Sequence, residues 1–174
     1  MVALAKIHLL DQLGVGVVAA TLPRNRPLAA LACALGTGGN STALGLAAPV
    51  PAAAAALRNG ALMHSLEYDG THTASITHAG SVLAPVVLAP VALAPVALAL
   101  SEEIGAPGAS LLRAFVLGFD MFVRTGLAAP GAFAKRGLQF TAVGGPVAGA
   151  LAAGLVLGLD PAQMTNALGI AGRW

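Results

Sequence analysis

Charge is scarce in this sequence: Asp, Glu, Lys and Arg together make up 9% of its 174 residues, against ~25% in an ordinary soluble domain. Aromatic residues are scarcer still, at 4%. The nine basic residues are scattered from Lys6 to Arg173 with few rings among them, which excludes the footprint of a nucleic-acid binder. One cysteine, Cys33, excludes an internal disulfide. Inside an Ala/Leu run it reads as a small buried thiol, in keeping with a reducing, cytoplasmic compartment. Sustained period-two alternation is missing, so strands are not required. No Gly-x-Ser-x-Gly is present, and Gly144-Gly145 lacks the Lys-Ser/Thr that would follow in a phosphate loop.

What is present is apolar: 57% of residues are hydrophobic and the mean hydropathy is +0.82. Such a chain needs a packed core, a large buried interface or a membrane. Its length suits one domain, residues 1–174, with a single core. The opening MVALAKIHLLDQLGVGVVAA has the basic-then-apolar order of a signal peptide, but Asp11 interrupts it. Ile7, Leu10, Leu13 and Val17 recur at helical spacing, which predicts an amphipathic core helix. Ser81 to Leu100 is twenty uncharged residues, long enough to span a bilayer, but prolines at 85, 90 and 95 argue against a spanning helix. That stretch reads VLAPV, VLAPV, ALAPV, ALAL, a five-residue near-repeat that fits neither helix nor strand.

Apolar spacing and punctuation predict helices near residues 3–20, 27–35, 51–68, 96–104, 109–127, 142–157 and 161–171, an all-α bundle. Asp160-Pro161-Ala162-Gln163 supplies an N-cap, a first-turn proline and a capping-box glutamine. Residues 36–41, GTGGNS, read as a flexible connector.

Polar chemistry concentrates in one place. His64, Glu67, Asp69, Thr71, His72, Thr77 and His78 place three of the four histidines and two of the seven acids within fifteen residues. If the helix from Pro51 continues past Tyr68, then His64, Glu67 and Thr71 share one face. An imidazole beside a carboxylate suits proton transfer at neutral pH, here abstraction alpha to a carboxylate followed by elimination or reprotonation. A metal is the rival occupant, but Asp69, His72 and His78 at Asp-x2-His-x5-His match no familiar ligand spacing. Arg58 is the only cation close to the cluster in sequence.

The run NGALMHSLEYDGTH…H, Asn59 to His78, resembles the signature of the MmgE/PrpD family. HLLDQLGVGVVA, SEEIGAPGASLLRAFVLGFDMFVRTG and TAVGGPVAGALAAGLVLGLDPAQMTNALGIAG resemble its flanking helices, so the similarity covers nearly all of residues 8–172. The resemblance implies the amino-terminal part of a helical domain, followed in the family by further helices and a lid. It also implies a cofactor-independent, homodimeric lyase or isomerase of small polycarboxylic acids; beside it, the residues themselves lead us to expect a cytoplasmic protein with no metal and with neither nucleic acid nor membrane as partner.

On that basis His78, Glu67, Asp69 and Thr71 are the catalytic candidates, and His64, His72 and Gln139 the substrate contacts. Glu67 stands where decarboxylases of the family have aspartate, Gly70 replaces a frequent aspartate and Ala79 a frequent proline. Gln139 falls where a second active-site histidine is expected, and glutamine cannot shuttle a proton at neutral pH. Without the lid and its lysines, the chain alone is expected to be inactive or nearly so. A non-catalytic interaction module, or a membrane-embedded fragment, is the alternative.

Overall fold

The computed structural model describes residues 2–78 and 93–173. Among the described residues seven helices run in order: α1 (Val2–Ala20), α2 (Arg26–Leu35), α3 (Ala52–His64), α4 (Leu93–Glu103), α5 (Gly108–Ala128), α6 (Phe140–Leu157) and α7 (Pro161–Ala171), with 3-10 turns at Pro23–Asn25 and Ala134–Arg136. The all-α class expected from the sequence is what forms; among the described residues only two isolated bridges, Ser41 with Val50 and His72 with Thr77, pair extended chain. The pentad repeat lies largely outside the described residues. Its last part, from 93, is helical and includes Pro95.

The core divides in two. Phe115, Phe122 and Phe140 anchor one cluster among Ala94, Ala97, Ala114, Ala148 and Ala152, and the Phe122 and Phe140 rings stack with centroids 5.1 Å apart. The second is built almost wholly of Ala43, Ala54, Ala55, Ala56 and Ala99 around Val50. Alanine hides little apolar area, so stability here comes from close approach of backbones. α5 packs on α6, α4 bridges α6 to α3, and α3 takes α1 and α2 on its other sides.

α1 corrects the sequence expectation. Its buried face is Ala5, Leu9, Gln12, Gly16 and Ala19, while Ile7, Leu10 and Val17, expected inside, are exposed. The reason is steric. A Cβ on Gly16 would lie 2.7 Å from Leu44 Cδ1 and 3.1 Å from Met63 Cγ, so only the small-residue face lets α1 close onto α3. α1 and α6 are each long and apolar enough to cross a membrane; half of α6 is buried in the bundle.

Two further local expectations change. The 36–41 connector is pinned, because Glu103 accepts from Asn40 N (3.0 Å) and Ser41 Oγ (2.9 Å), and Glu102 accepts from Thr42 N (2.7 Å). Cys33 lies exposed on α2. The capping box at Asp160 forms as read, with Gln163 N donating to Asp160 Oδ1 (2.9 Å) and Asp160 N to Gln163 Oε1 (3.0 Å).

Candidate active site

α3 ends at His64, four residues earlier than its apolar spacing suggests. Ser65 closes it, and Glu67 takes a left-handed backbone at φ +54, which no continuing helix tolerates. The shared face of His64, Glu67 and Thr71 therefore does not exist. A loop followed by a hairpin replaces it: His72 N donates to Thr77 O (2.8 Å) and Thr77 N to His72 O (3.3 Å) around a four-residue turn. The turn needs a left-handed residue at its end, and Ile76 supplies it at φ +53, an uncommon setting for a β-branched side chain.

This hairpin docks on α5 at Gly126. A Cβ there would meet Ser75 Cβ at 2.9 Å and Ser75 O and Thr77 Cγ2 at 3.2 Å. Inside the turn Ser75 is the hub: its Oγ lies 2.8 Å from His72 Nδ1 and 2.7 Å from Thr77 Oγ1, and its N–H donates to His72 Nδ1 (3.3 Å). His72 thus accepts at Nδ1 and carries its proton on Nε2.

The loop and hairpin bring three sequence-selected residues together. The Asp69 side chain is fully buried and lies between two imidazoles. His64 Nδ1 donates to both of its oxygens at 3.1 Å, and His78 Nδ1 lies 3.0 Å from Oδ2. The rings meet edge to face with centroids 5.0 Å apart. The Thr71 hydroxyl is 3.2 Å from His78 Nδ1, and Glu67, 72% exposed at the rim, comes 3.7 Å from His64 Nε2. The hydrogen bond to Asp69 raises the His64 pKa above its ordinary value, helped by the charges of Asp69 and Glu67 and opposed by burial.

Two cavities flank the hairpin. One, of about 110 Å³, is lined by His78 and Gln139 together with Gly126, Phe133 and Phe140, so the fold brings the glutamine, sixty-one positions away in sequence, to the same wall as His78. The other, of about 250 Å³, is lined by Thr71, His72, Gly70, His8, Gln12 and Phe119. His72 therefore faces a different space from His78.

The cation expected from Arg58 does not reach the cluster. Arg58 is buried, its Nε donates to Leu44 O (2.8 Å), and Nη1 has no hydrogen-bond partner. Burial draws the guanidinium below its usual pKa. Arg24, which sequence reasoning passed over, reaches the end of α3, where its Nη2 donates to Ser65 O (3.1 Å). Forty-one residues separate the two, and no local pattern signals the pairing.

The whole chain, residues 1–174, matches the family model described as the MmgE/PrpD N-terminal domain. It is 31% identical over 173 residues to a cis-aconitate decarboxylase of Aspergillus terreus, covering 96% of this chain and 33% of that protein. A cis-aconitate decarboxylase-like protein, oryM, of Aspergillus oryzae is 32% identical over 168 residues, covering 96% of this chain and 34% of its own length. The chain thus spans about a third of the length of the curated relatives it matches.

Proposed function

The chain belongs to the MmgE/PrpD family, and from that premise we propose that it carries the proton-transfer centre of a lyase or isomerase acting on a small polycarboxylic acid. One observation carries this reading: a fully buried carboxylate, Asp69, that faces Nδ1 of both His64 and His78. A carboxylate beside Nδ1 holds a neutral imidazole's proton there and leaves Nε2 bare as a base. His78, on the cavity wall, removes the proton alpha to a substrate carboxylate. The C–H electron pair then either expels a beta hydroxyl, which departs as water by taking a proton from an imidazolium of the pair, or recaptures a proton from solvent water on the opposite face, the hydroxide left behind being neutralised by the proton that the imidazolium returns.

The remaining groups divide the binding work. Protonated His64, with Arg24 beyond it, offsets a carboxylate of the substrate. Thr71, 3.2 Å from His78 Nδ1, joins Glu67 and Asp69 in orienting the imidazoles. Gln139 on the His78 wall bonds a substrate oxygen but cannot relay a proton, which favours dehydration, as with 2-methylcitrate, over the decarboxylation named for the Aspergillus relatives. We propose a homodimer as the working form, and little or no turnover by the 174 residues alone, because a polycarboxylate needs more fixed cations than this loop offers.

The test is turnover of 2-methylcitrate, citrate and cis-aconitate by the product of the complete reading frame in which these residues lie. His78→Ala is expected to abolish it, and wild-type rates in that variant would remove the assignment. A second reading, a non-catalytic interaction module, draws on the exposed Ile7, Leu10, Val17 and Val18 of α1. It predicts self-association by sedimentation and no turnover of any of these acids.

A further inference from the structure

We propose that His64, Asp69 and His78 form a binding site for a divalent cation of the zinc class, which takes Nδ1 of each imidazole and one carboxylate oxygen. The sequence pointed to a different trio, and the fold changes its membership. His72 spends its Nδ1 on Ser75 N and Oγ, whereas His64, five residues before Asp69 on the end of α3, turns its Nδ1 onto that carboxylate.

Geometry carries the proposal. Ligand atoms of the three residues all lie within 4.8 Å of one another. Both nitrogen-to-carboxylate separations, 3.1 and 3.0 Å, are within a few tenths of an ångström of the roughly 3.3 Å edge of a tetrahedron whose metal–ligand bonds are about 2.05 Å. The two imidazoles must close toward a common centre, bringing ligand atoms that span up to 4.8 Å to the edge length of roughly 3.3 Å. Two nitrogens and one carboxylate oxygen, with the carboxylate fully buried, are a donor set that suits zinc or cobalt and not magnesium or calcium.

The surroundings of the trio support the same occupant. A histidine bound through one nitrogen usually donates its other N–H to a carboxylate, and Glu67 Oε1 stands 3.7 Å from His64 Nε2. The Thr71 hydroxyl, 3.2 Å from His78 Nδ1, is in place to become a fourth ligand or to hold a water that does. Binding displaces the Nδ1 protons. Each bound imidazole then carries its remaining proton on Nε2, that of His64 toward Glu67. A filled site therefore removes the free imidazole nitrogen that the proton-transfer reading needs, so the cation inhibits.

Cation binding is measured without turnover. Co2+ is titrated into the chain while its visible absorption is followed, and Zn2+ is then added in competition. The expected result is a single four-coordinate Co2+, displaced by Zn2+. Binding is lost in His64→Ala and in His78→Ala, weakened roughly 10–100-fold in Glu67→Gln, and unchanged in His72→Ala. Because a variant can fail by misfolding, the wild-type chain gives a second readout: Co2+ should shift the ring protons of His64 and His78 in the NMR spectrum and leave those of His8 in place. Absence of a bound Co2+, equal binding by His64→Ala, or shifts confined to His72 or His8 would overturn the proposal while leaving the catalytic reading standing.

Discussion

Gly126→Ala isolates the contact that seats the hairpin. In a helix interior the exchange alone stabilises by ~1 kcal/mol. Here the new methyl would stand 2.9 Å from Ser75 Cβ, where carbon atoms prefer roughly 3.5–4.0 Å, so the turn must retreat by about 0.6–1.1 Å. Ser75 cannot give way alone, because its hydroxyl bridges His72 and Thr77 and its carbonyl is itself close to the new methyl, at 3.2 Å. Overpacking of this kind costs ~1–3 kcal/mol, which leaves a net change between about zero and 2 kcal/mol of destabilisation. For a chain of this length each kcal/mol moves Tm by ~2–4 °C.

The assay pairs thermal unfolding with the NMR signals of the imidazoles. Gly126→Ala should fail to raise Tm and should shift the His72 and His78 ring resonances. Gly169→Ala, on the exposed face of α7 with open space at its Cβ, should gain the full ~1 kcal/mol. If Gly126→Ala stabilises as much as Gly169→Ala and leaves both rings unmoved, the hairpin does not rest on α5 and the site geometry derived from it fails.

Three other perturbations have worked-out signs. Ile76→Asn places a residue tolerant of left-handed backbone where a β-branched side chain sits at φ +53 and is exposed, and should stabilise by ~1 kcal/mol; an unchanged or lower Tm refutes the strain. Because the folded His64 pKa is raised, its contribution to stability is fully present below the unfolded value of ~6.5 and disappears as pH rises through the folded value. In Asp69→Asn, measured with chelator present, the His64 titration should move to lower pH, and the excess stability of wild type at pH 5.5 relative to pH 8.5 should shrink; identical titrations in both proteins would contradict the hydrogen bond's role. Asp160→Ala removes one arm of the capping box and should cost ~1 kcal/mol, detectable by urea unfolding, with no effect on the His64 or His78 resonances.

The sequence was most legible where local chemistry dictates local structure. Asp160-Pro161 starts α7 at the expected residue, and the polar cluster at 64–78 marks the region where the imidazoles and Asp69 converge. Legibility failed where tertiary contacts decide. The end of α3 depends on Glu67 adopting a conformation that its residue type does not announce. The partner of Asp69 among the histidines depends on a hairpin register, which ties up His72 and frees His78. Arg58 looked like the cationic neighbour because it is near in sequence, yet the fold buries it against the 44–45 turn, while Arg24 reaches the end of α3.

The inverted packing of α1 implies an inverted pattern of tolerance to substitution. Along this helix the residues that resist replacement should be the small and polar ones, Ala5, Gln12, Gly16 and Ala19, since any enlargement at Gly16 strikes Leu44 and Met63. Its bulky aliphatic positions at 7, 10 and 17 should accept lysine or glutamate with the bundle intact. A randomised library of this helix, sorted for folded product, would show the reverse of what a hydrophobicity ranking anticipates.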